Sequence, residues 1–380
     1  MRVVGRGLMR FIHTSDWQLG KPFGRVPVEA RAALQDARLD AIDTLAARAR
    51  AVGASHILVA GDVFDNPEPG DRVYRQALTR MKSAADVRWL LLPGNHDPAR
   101  ADGLWTRLAG EVPETVKLCL EPRPIDLGSN CWLLPGPLQF KRAFDDPTAW
   151  FDRAETPAGA LRIGLAHGAI REFGSREPAS NLISPDRARR AGLAYLALGD
   201  WHSRQEIDPR THYSGTPEAD DFGRSPTGLA LDVALRGNDL PTVADIPIGR
   251  YHWTAESWTL TAAGGLDTHL AELAPGIERR HLVARLTLAG LLSLSERVAI
   301  RDRLEAELAH EIRWLDLRLD DLYARPTEHD LADIDANGVL RAAAEHLQRL
   351  AAGGGIEGRR SSAALERLYI AHRRSERTVS

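Results

Sequence analysis

The chain has 380 residues, 43% of them hydrophobic and 27% charged, which is enough for roughly two or three globular domains. Its formal net charge of -3 excludes nucleic-acid binding through an overall positive field, so any such contact must come from local basic patches. With only Cys119 and Cys131, and with no apolar run near the roughly 20 residues of a membrane span, we expect a cytoplasmic protein without disulfides or membrane segments.

Five short apolar segments are each followed by an acidic, amide or imidazole side chain. In chain order they are Phe11–Asp16, Ile57–Asp62, Trp89–Asp97, Ile163–His167 and Tyr195–His202. Each is typical of a buried strand, and in layered α/β folds ligands bind beyond the carboxyl ends of the strands. We therefore expect one rim that collects Asp16, Gln18, Asp62, Asn95, His96, His167, Asp200 and His202.

Amphipathic segments between these strands predict helices. They are Val28–Val52, which Gly53 ends, and the regions around Asp71–Ala84 and Asp102–Gly110. Further strands are predicted at Leu118–Leu120, Cys131–Leu134 and Leu229–Ala234. The alternation of strand and helix predicts two sheets, at least partly parallel, with helices outside them.

Four segments divide the chain by composition. Residues 1–8 read as a disordered leader and residues 9–236 as the domain that holds the rim. Residues 237–352 lack the ligand pattern. They contain a predicted strand at 254–261, followed by a strand, a helix and a strand between 281 and 319, so we expect an α+β domain that covers the first domain. Residues 353–380 read as a linker at Gly353–Gly355 and a terminal helix over Ser362–Arg374.

The rim residues suit two divalent cations held about 3.5 to 4 Å apart, an arrangement that hydrolyses phosphoesters. Asp62 is the natural bridge, with Asp16, Gln18 and His202 completing the first ion and Asn95, His167 and Asp200 completing the second. Oxygen and imidazole ligands without thiolate favour Mn²⁺, Mg²⁺ or Fe²⁺. His96 is then left as a general acid.

In these motifs the chain resembles the calcineurin-like metallophosphoesterases, whose five motifs follow the same order. Within that superfamily, His13–Trp17, Leu92–Asp97 and Tyr213–Glu218 resemble the SbcD-type DNA repair exonucleases. The resemblance covers about residues 9–235 and implies a two-sheet metallophosphoesterase sandwich flanked by helices. It also implies a smaller C-terminal α+β capping domain.

The same resemblance implies a DNA nuclease with two divalent cations, Mn²⁺ foremost, that acts as a duplex-end exonuclease and a single-strand endonuclease. Family members engage an SbcC-like ATPase partner through their C-terminal segments. The sequence leaves open whether the chain forms a homodimer. Two alternative functions stay open as well: a small-molecule phosphodiesterase or phosphatase, and a catalytically weakened scaffold that binds DNA ends.

Two positions depart from the family pattern, because Gln18 and Asp200 stand where histidine is usual. Glutamine offers only a neutral amide oxygen, whereas aspartate remains a good ligand. We therefore expect the first ion to be the looser of the two.

Other residues near the motifs have supporting roles in this interpretation. Asp65 and Asp97 orient ligands or cap a helix, and His13 lies behind the ligands rather than among them. Trp17, Trp105 and Trp201 either stack on bases or belong to the core. Arg171, Arg176 and Arg204 follow ligand strands and are candidates for contact with DNA phosphates.

Overall fold

The computed structural model describes residues 8–170, 180–237, 239–324, 327, 330, 334 and 338–379, with side chains to residue 372. The chain forms two compact units, Met1–Trp253 and Thr254–Ser380. Arg171 and Arg176, which the sequence suggested as phosphate contacts, lie outside the described residues.

The described residues of the first unit form fourteen strands, with helices between some of them. Its strands are β1 (Leu8–Thr14), β2 (His56–Val59), β3 (Arg88–Leu91), β4 (Val116–Leu118), β5 (Ile125–Gly128), β6 (Cys131–Gly136), β7 (Leu161–His167), β8 (Ala169–Ile170), β9 (Leu182–Ile183), β10 (Tyr195–Gly199), β11 (Gln205–Asp208), β12 (Thr211–Tyr213), β13 (Leu229–Arg236) and β14 (Thr242–Pro247). Its helices are α1 (Val28–Val52), α2 (Asp71–Ser83), α3 (Leu104–Leu108), a 3₁₀ turn (Ala149–Arg153) and α4 (Arg187–Arg190).

Two six-stranded sheets form the centre of this unit. One has the order β14-β13-β1-β2-β3-β4 and the other β11-β12-β10-β7-β6-β5. Strands β1 to β4 are parallel to one another, and so are β12, β10, β7 and β6. Strand β13 runs antiparallel to β1 and β14, while β11 and β5 run antiparallel to β12 and β6. The carboxyl ends of the central strands therefore meet at one edge of each sheet, as predicted.

Alternation of side chains along β1 explains why the sheets stack as layers. Phe11 points between the sheets, where it shares a core with Ile163 of β7 and Tyr195 of β10. Ile12 points to the opposite face and packs with Leu45 of α1. Together with helical cover on the outer face of the second sheet, this confirms the predicted two-sheet sandwich flanked by helices.

The predicted α1 has the observed bounds, and Gly53 ends it with φ 72°, a left-handed conformation that glycine adopts without strain. The strands at the ligand motifs were also predicted correctly. The predicted disordered leader included Leu8, which instead begins β1 and pairs with Arg236 of β13, and its other residues lie outside the described residues.

The first compact unit extends beyond the predicted domain boundary at residue 236, to Trp253. Residues 242–247 form β14, which pairs with β13 at the edge of the first sheet. This strand is largely exposed, and its apolar residues do not alternate regularly with polar ones, so it lacks the pattern that would have predicted it.

The second unit is an α+β arrangement around a three-stranded sheet. Its strands are β15 (His252–Leu260), β16 (Leu282–Leu292) and β17 (Trp314–Ala324), in that order, with β16 and β17 parallel. Its helices are α5 (Gly265–Glu272), a 3₁₀ turn (Arg279–His281), α6 (Leu294–Arg303), a π-helical turn (Leu304–Leu308), α7 (Ala309–Glu311), α8 (Val339–Ala352) and α9 (Gly355–Val379). Ser293 and Glu296 begin α6 with a capping box.

The terminal segment is part of this unit, which corrects the prediction of a linker and a separate short helix. Helix α9 begins at Gly355, and its Leu365 and Tyr369 are buried in a cluster with Leu294. Glu366 forms ion pairs with two arginines of α6. The first turns of α9 are rich in glycine and arginine and carry no apolar stripe. The apolar pattern therefore predicted a helix that begins only at Ser362.

Across the residues that the structure describes, no helix combines the length and apolarity needed to cross a membrane.

Candidate metal centre

The five predicted strand ends do converge, and three of their side chains form the centre of the cluster. Asp16 follows β1, Asp62 follows β2 and His167 ends β7, and one donor atom from each lies within 4.8 Å of the others. All three residues are buried. Three ligand groups from three separate strands at this spacing are what a bound cation requires.

The backbone at the rim is held in unusual conformations. Asp16 (φ 53°), Gln18 (φ 42°), Asp62 (φ 52°) and Asp200 (φ 104°) all have positive φ, which costs a non-glycine residue roughly 1 to 3 kcal/mol. Two backbone bonds between neighbouring loops hold this geometry, from Asp16 N–H to the Gly61 carbonyl (3.1 Å) and from Gln18 N–H to the Asp62 carbonyl (2.9 Å). The fold therefore holds these residues in strained backbone conformations that direct their side chains toward the rim.

Two glycines in the motifs leave room for the ligands. A Cβ atom on Gly94 would lie 2.1 Å from Asp62 Oδ1, and one on Gly61 would lie 2.3 Å from His167 Nδ1. Real contacts of this kind are never so short, so any side chain at either position would displace a ligand. This explains why glycine precedes the ligand at both motifs.

Three histidines at the rim share one hydrogen-bonding pattern. Nδ1 of His96 donates to the Asp65 carbonyl (2.7 Å), and Nδ1 of His167 donates to the Ala60 carbonyl (2.8 Å). Nδ1 of His202 donates to the carboxylate of Asp220 (3.1 Å). Because each proton is fixed on Nδ1, each neutral ring presents the lone pair of Nε2.

His167 and Asn95 each have a side-chain atom that could bind a metal and that has no hydrogen-bond partner in the protein. His167 Nε2 lies 3.4 Å from Asp62 Oδ1 and 3.7 Å from Asp200 Oδ1, and it makes no hydrogen bond although it is buried. Asn95 Oδ1 is buried without a partner too, while its Nδ2 donates to Asp200 Oδ1 (3.2 Å). Buried polar atoms normally have partners. A divalent cation would satisfy both atoms, so the residues fit one.

The charge of the cluster favours a cation as well. Burial alone disfavours the imidazolium of His167, but Asp62, Asp16 and Asp200 outweigh burial and raise its pKa to about 9. Burial also raises the pKa of Asp200, helped by the charge of Asp16. The carboxylates therefore repel one another, and positive charge at this point stabilises them.

The other side of the rim is already hydrogen-bonded. His202 Nε2 lies 3.8 Å from Asp16 Oδ1, but it accepts a hydrogen bond from Gln18 Nε2 (3.2 Å). The Gln18 oxygen in turn accepts from the Lys21 ammonium (3.1 Å). In this arrangement the amide of Gln18 points its nitrogen, not its oxygen, at the nitrogen that would bind a metal.

Asp220 is a residue of the site that sequence reasoning missed. It accepts the Nδ1 proton of His202 and forms ion pairs with Lys21 and Arg38. Burial would raise its pKa, but His202, Arg38 and Lys21 hold that pKa well below its ordinary value. The sequence signal was weak, because Asp220 is one of two adjacent aspartates that follow the Tyr213–Glu218 motif.

His96 differs from His167 in its access to solvent. Its side chain is 37% exposed, whereas that of His167 is 0% exposed. His96 Nε2 lies 4.0 Å from Asp62 Oδ2, and the His96 backbone N–H donates to Asp62 Oδ1 (2.9 Å). His96 is therefore beside the cluster and open to a bound substrate.

Asp97 and Asp65 support the site in two different ways. The carboxylate of Asp97 accepts the backbone N–H of Phe64 (2.9 Å) and of Gly94 (2.7 Å), so it ties two ligand loops together. Asp65 acts on His96 through its backbone carbonyl rather than its carboxylate.

His13 lies behind the ligands, as the sequence analysis expected. Its Nε2 donates to the Leu198 carbonyl (3.1 Å), and its Nδ1 accepts from the Tyr195 hydroxyl (3.0 Å). Burial and the nearby His212 lower its pKa to about 3. A neutral ring with both nitrogens engaged joins β1 to β10.

The remaining predicted residues lie around the rim. Trp201, between two rim residues, is 43% exposed, whereas Trp17 and Trp105 are buried in the core. Arg204 forms ion pairs with Asp245 (3.2 Å) and Glu206 (3.6 Å), so its charge is already partly neutralised within the unit.

Residues 9–237 match the family model described as Calcineurin-like phosphoesterase. The chain belongs to this family. The family implies divalent metal ions, for which Asp16, Asp62 and His167 are candidate ligands, and it supports a phosphoester hydrolase.

The chain is similar to two curated proteins, both named as the SbcD component of the nuclease SbcCD. One, from Bacillus subtilis (strain 168), is 29% identical over 60% of this chain and 66% of its own length, just under two thirds. The other, from Rhodobacter capsulatus, is 25% identical over 86% of this chain and 84% of its own length. Among solved structures, the crystal structure of TT1561 of Thermus thermophilus matches 64% of this chain and 100% of that chain, with a TM-score of 0.41 and 12% identity.

Proposed function

We propose that this protein is a divalent-metal-dependent DNA nuclease that hydrolyses phosphodiester bonds in DNA repair. The observation that carries the proposal is a pair of buried polar atoms without hydrogen-bond partners, His167 Nε2 and Asn95 Oδ1, in side chains that lie against the carboxylates of the rim. Such donors are costly to bury unless something binds them. The two relatives named as nucleases support DNA as the substrate.

Each rim residue has a proposed role. Asp62 would hold both ions, with Asp16, Gln18 and His202 as further ligands of the first and Asn95, His167 and Asp200 as further ligands of the second. When bound, the two cations supply positive charge to the phosphoryl group and acidify water for attack. The set is rich in oxygen and poor in imidazole, which favours Mn²⁺ over softer ions, with Mg²⁺ or Fe²⁺ as alternatives.

His96 is the proposed general acid. Because Nδ1 donates to the Asp65 carbonyl, Nε2 carries a proton only when the ring is an imidazolium. From Nε2 that proton passes to the leaving oxygen as its bond to phosphorus breaks. Partial exposure of the side chain lets a substrate reach it.

We further propose that the chain cleaves duplex ends and single strands, and that the second unit is a capping domain. Exposed Trp201 beside Asp200 and His202 favours a substrate with bases over a small phosphodiester. The relatives are named as components of a larger nuclease, which supports an SbcC-like ATPase partner. The exposed face of α9 is its proposed docking point, because the opposite face is buried.

The experiment incubates the protein and Mn²⁺ with end-labelled duplex DNA, circular single-stranded DNA and a chromogenic phosphodiester, with Asp62→Ala as the blank. We expect cleavage of both DNAs by the wild type and none by the variant. Hydrolysis of the chromogenic ester alone would favour a small-molecule phosphodiesterase. Binding of DNA ends without hydrolysis of any substrate would favour a scaffold.

A further inference from the structure

The segment 138–145 after β6, here called the aromatic loop, exposes two rings beside two positive charges. Phe140 is 66% exposed and Phe144 is 94% exposed. Lys141 and Arg142 lie between them and are exposed too. Aromatic rings on a surface with interleaved positive charges are typical of contacts with unpaired nucleic-acid strands.

Asn181 fixes the backbone of the aromatic loop. Its Oδ1 accepts the Ala143 N–H (2.8 Å), and its Nδ2 donates to the Lys141 carbonyl (3.1 Å). Its own backbone N–H donates to the Ala143 carbonyl (2.7 Å). Because Asn181 is itself buried, the exposed rings project from a fixed backbone rather than from a free loop.

The aromatic loop is attached to two motifs of the metal centre. The Asn181 carbonyl accepts the Ala169 N–H (3.1 Å), and a Cβ on Gly168 would lie 2.1 Å from that oxygen. Gly168 directly follows His167. On the other side, the carbonyl of Leu138 at the start of the loop accepts the N–H of Ala99 (2.8 Å), which follows the motif of His96.

We infer that the aromatic loop binds an unpaired nucleic-acid strand and leads it to the metal centre, an inference that rests on the proposed function. Phe140 and Phe144 stack on bases, and Lys141 and Arg142 pair with the phosphates between them. Bases of an intact duplex are stacked inside the helix, so the rings select frayed or single strands. Asp145 is also exposed and leaves the loop one net positive charge, so stacking supplies most of the affinity.

The test measures binding of a short labelled oligothymidylate to the full-length protein without added divalent cation, so that the strand is not cleaved. Phe140→Ala and Phe144→Ala should each weaken binding about 5- to 150-fold. Binding to a blunt hairpin duplex should stay within about twofold of wild type, a difference of roughly 0.4 kcal/mol. The matched control is Leu240→Ala, which removes an apolar side chain that is 59% exposed in the connection between β13 and β14.

A second pair of changes separates stacking from charge. Lys141→Gln with Arg142→Gln should flatten the dependence of single-strand binding on salt by about 1.4 log units per log unit. Phe140→Ala with Phe144→Ala should leave that slope unchanged while lowering affinity at every salt concentration.

Equal binding by wild type and the double phenylalanine variant would overturn the inference. So would an equal loss on single strand and duplex, or a change in oligomeric state with no change in binding, which would mark a self-association surface. Cleavage of DNA in the presence of Mn²⁺ decides the proposed function separately. An enzyme that cleaves DNA but binds single strands equally well without its two phenylalanines keeps the proposed function and loses this inference. An enzyme that binds single strands through these phenylalanines but cleaves no DNA keeps this inference and loses the proposed function.

Discussion

The candidate metal centre has two halves, which differ in the partners that their side chains already have. The first half consists of Asp16, Gln18 and His202, and the second of Asn95, His167 and Asp200. In the second half, His167 Nε2 and Asn95 Oδ1 are buried without partners. In the first half, His202 Nε2 accepts from Gln18, whose oxygen is held by Lys21. The second half therefore has atoms that are free to bind a cation. In the first half, hydrogen bonds must break before the same kind of atom can do so.

The difference between the halves predicts which one binds a cation more tightly, and by roughly how much. A buried polar atom without a partner costs about 1 to 3 kcal/mol, which a cation in the second half would relieve. A cation in the first half must displace a hydrogen bond with a net contribution of about 1 kcal/mol. We therefore expect the second half to bind Mn²⁺ more tightly, by at least about fivefold.

The largest effect should come from the residue that the halves share. Asp62→Ala should abolish turnover and both Mn²⁺ binding events, because Asp62 is the proposed shared ligand and one of its oxygens lies within 4.8 Å of donor atoms of both Asp16 and His167. Calorimetry and a nuclease assay measure this. Asp65→Ala is the matched control, since Asp65 contacts His96 only through its backbone carbonyl. Survival of either binding event in Asp62→Ala would show that the halves do not share this ligand.

His96→Gln should affect neither half. It should lower turnover by about 10² to 10⁴ because the general acid is lost, while both Mn²⁺ affinities stay near their wild-type values. Rates at saturating Mn²⁺, compared with calorimetry on the same preparation, separate chemistry from binding. Loss of Mn²⁺ binding as severe as in Asp62→Ala would make His96 a ligand instead of an acid.

Asp220→Asn should affect the first half alone. The carboxylate fixes the Nδ1 proton of His202, and loss of such a partner weakens metal binding about 10- to 100-fold. Calorimetry should show the weaker Mn²⁺ event shifted and the tighter one unchanged. Asp220→Glu should recover part of the affinity. Equal weakening of both events would mean that the change disturbs the fold rather than His202.

The smallest effect concerns His13, which joins the strands that lead to the two halves. Burial lowers its pKa to about 3 from an ordinary value near 6.5, so the unfolded chain binds more protons between these pH values. The stability that the neutral ring contributes is present above pH 6.5 and is lost as pH falls, by up to about 1.4 kcal/mol per pH unit.

The variant His13→Gln tests this because its amide can still donate to the Leu198 carbonyl but does not titrate. Denaturant unfolding between pH 4 and pH 7 should show a shallower pH dependence for the variant than for wild type. Identical slopes would show that His13 does not lower stability on acidification.

The sequence predicted the ligands that lie at strand ends, because a buried apolar run marks each one. Asp62 and His167 are examples. It did not predict Asp220, whose role depends on an ion pair with Arg38, a contact between residues 182 positions apart. It also missed β14, because an exposed edge strand needs no apolar alternation. Local patterns therefore indicated the candidate ligands, while the hydrogen-bond partners of these side chains depended on the folded chain.

The unequal halves are tested most directly by calorimetric titration of Mn²⁺ into wild type and Gln18→His. We predict two events in the wild type, one tight and one weaker. In Gln18→His a second imidazole replaces the amide that occupies His202 Nε2, so the weaker event should tighten and merge with the first. A wild type with a single class of sites, unaffected by Gln18→His, would contradict the account.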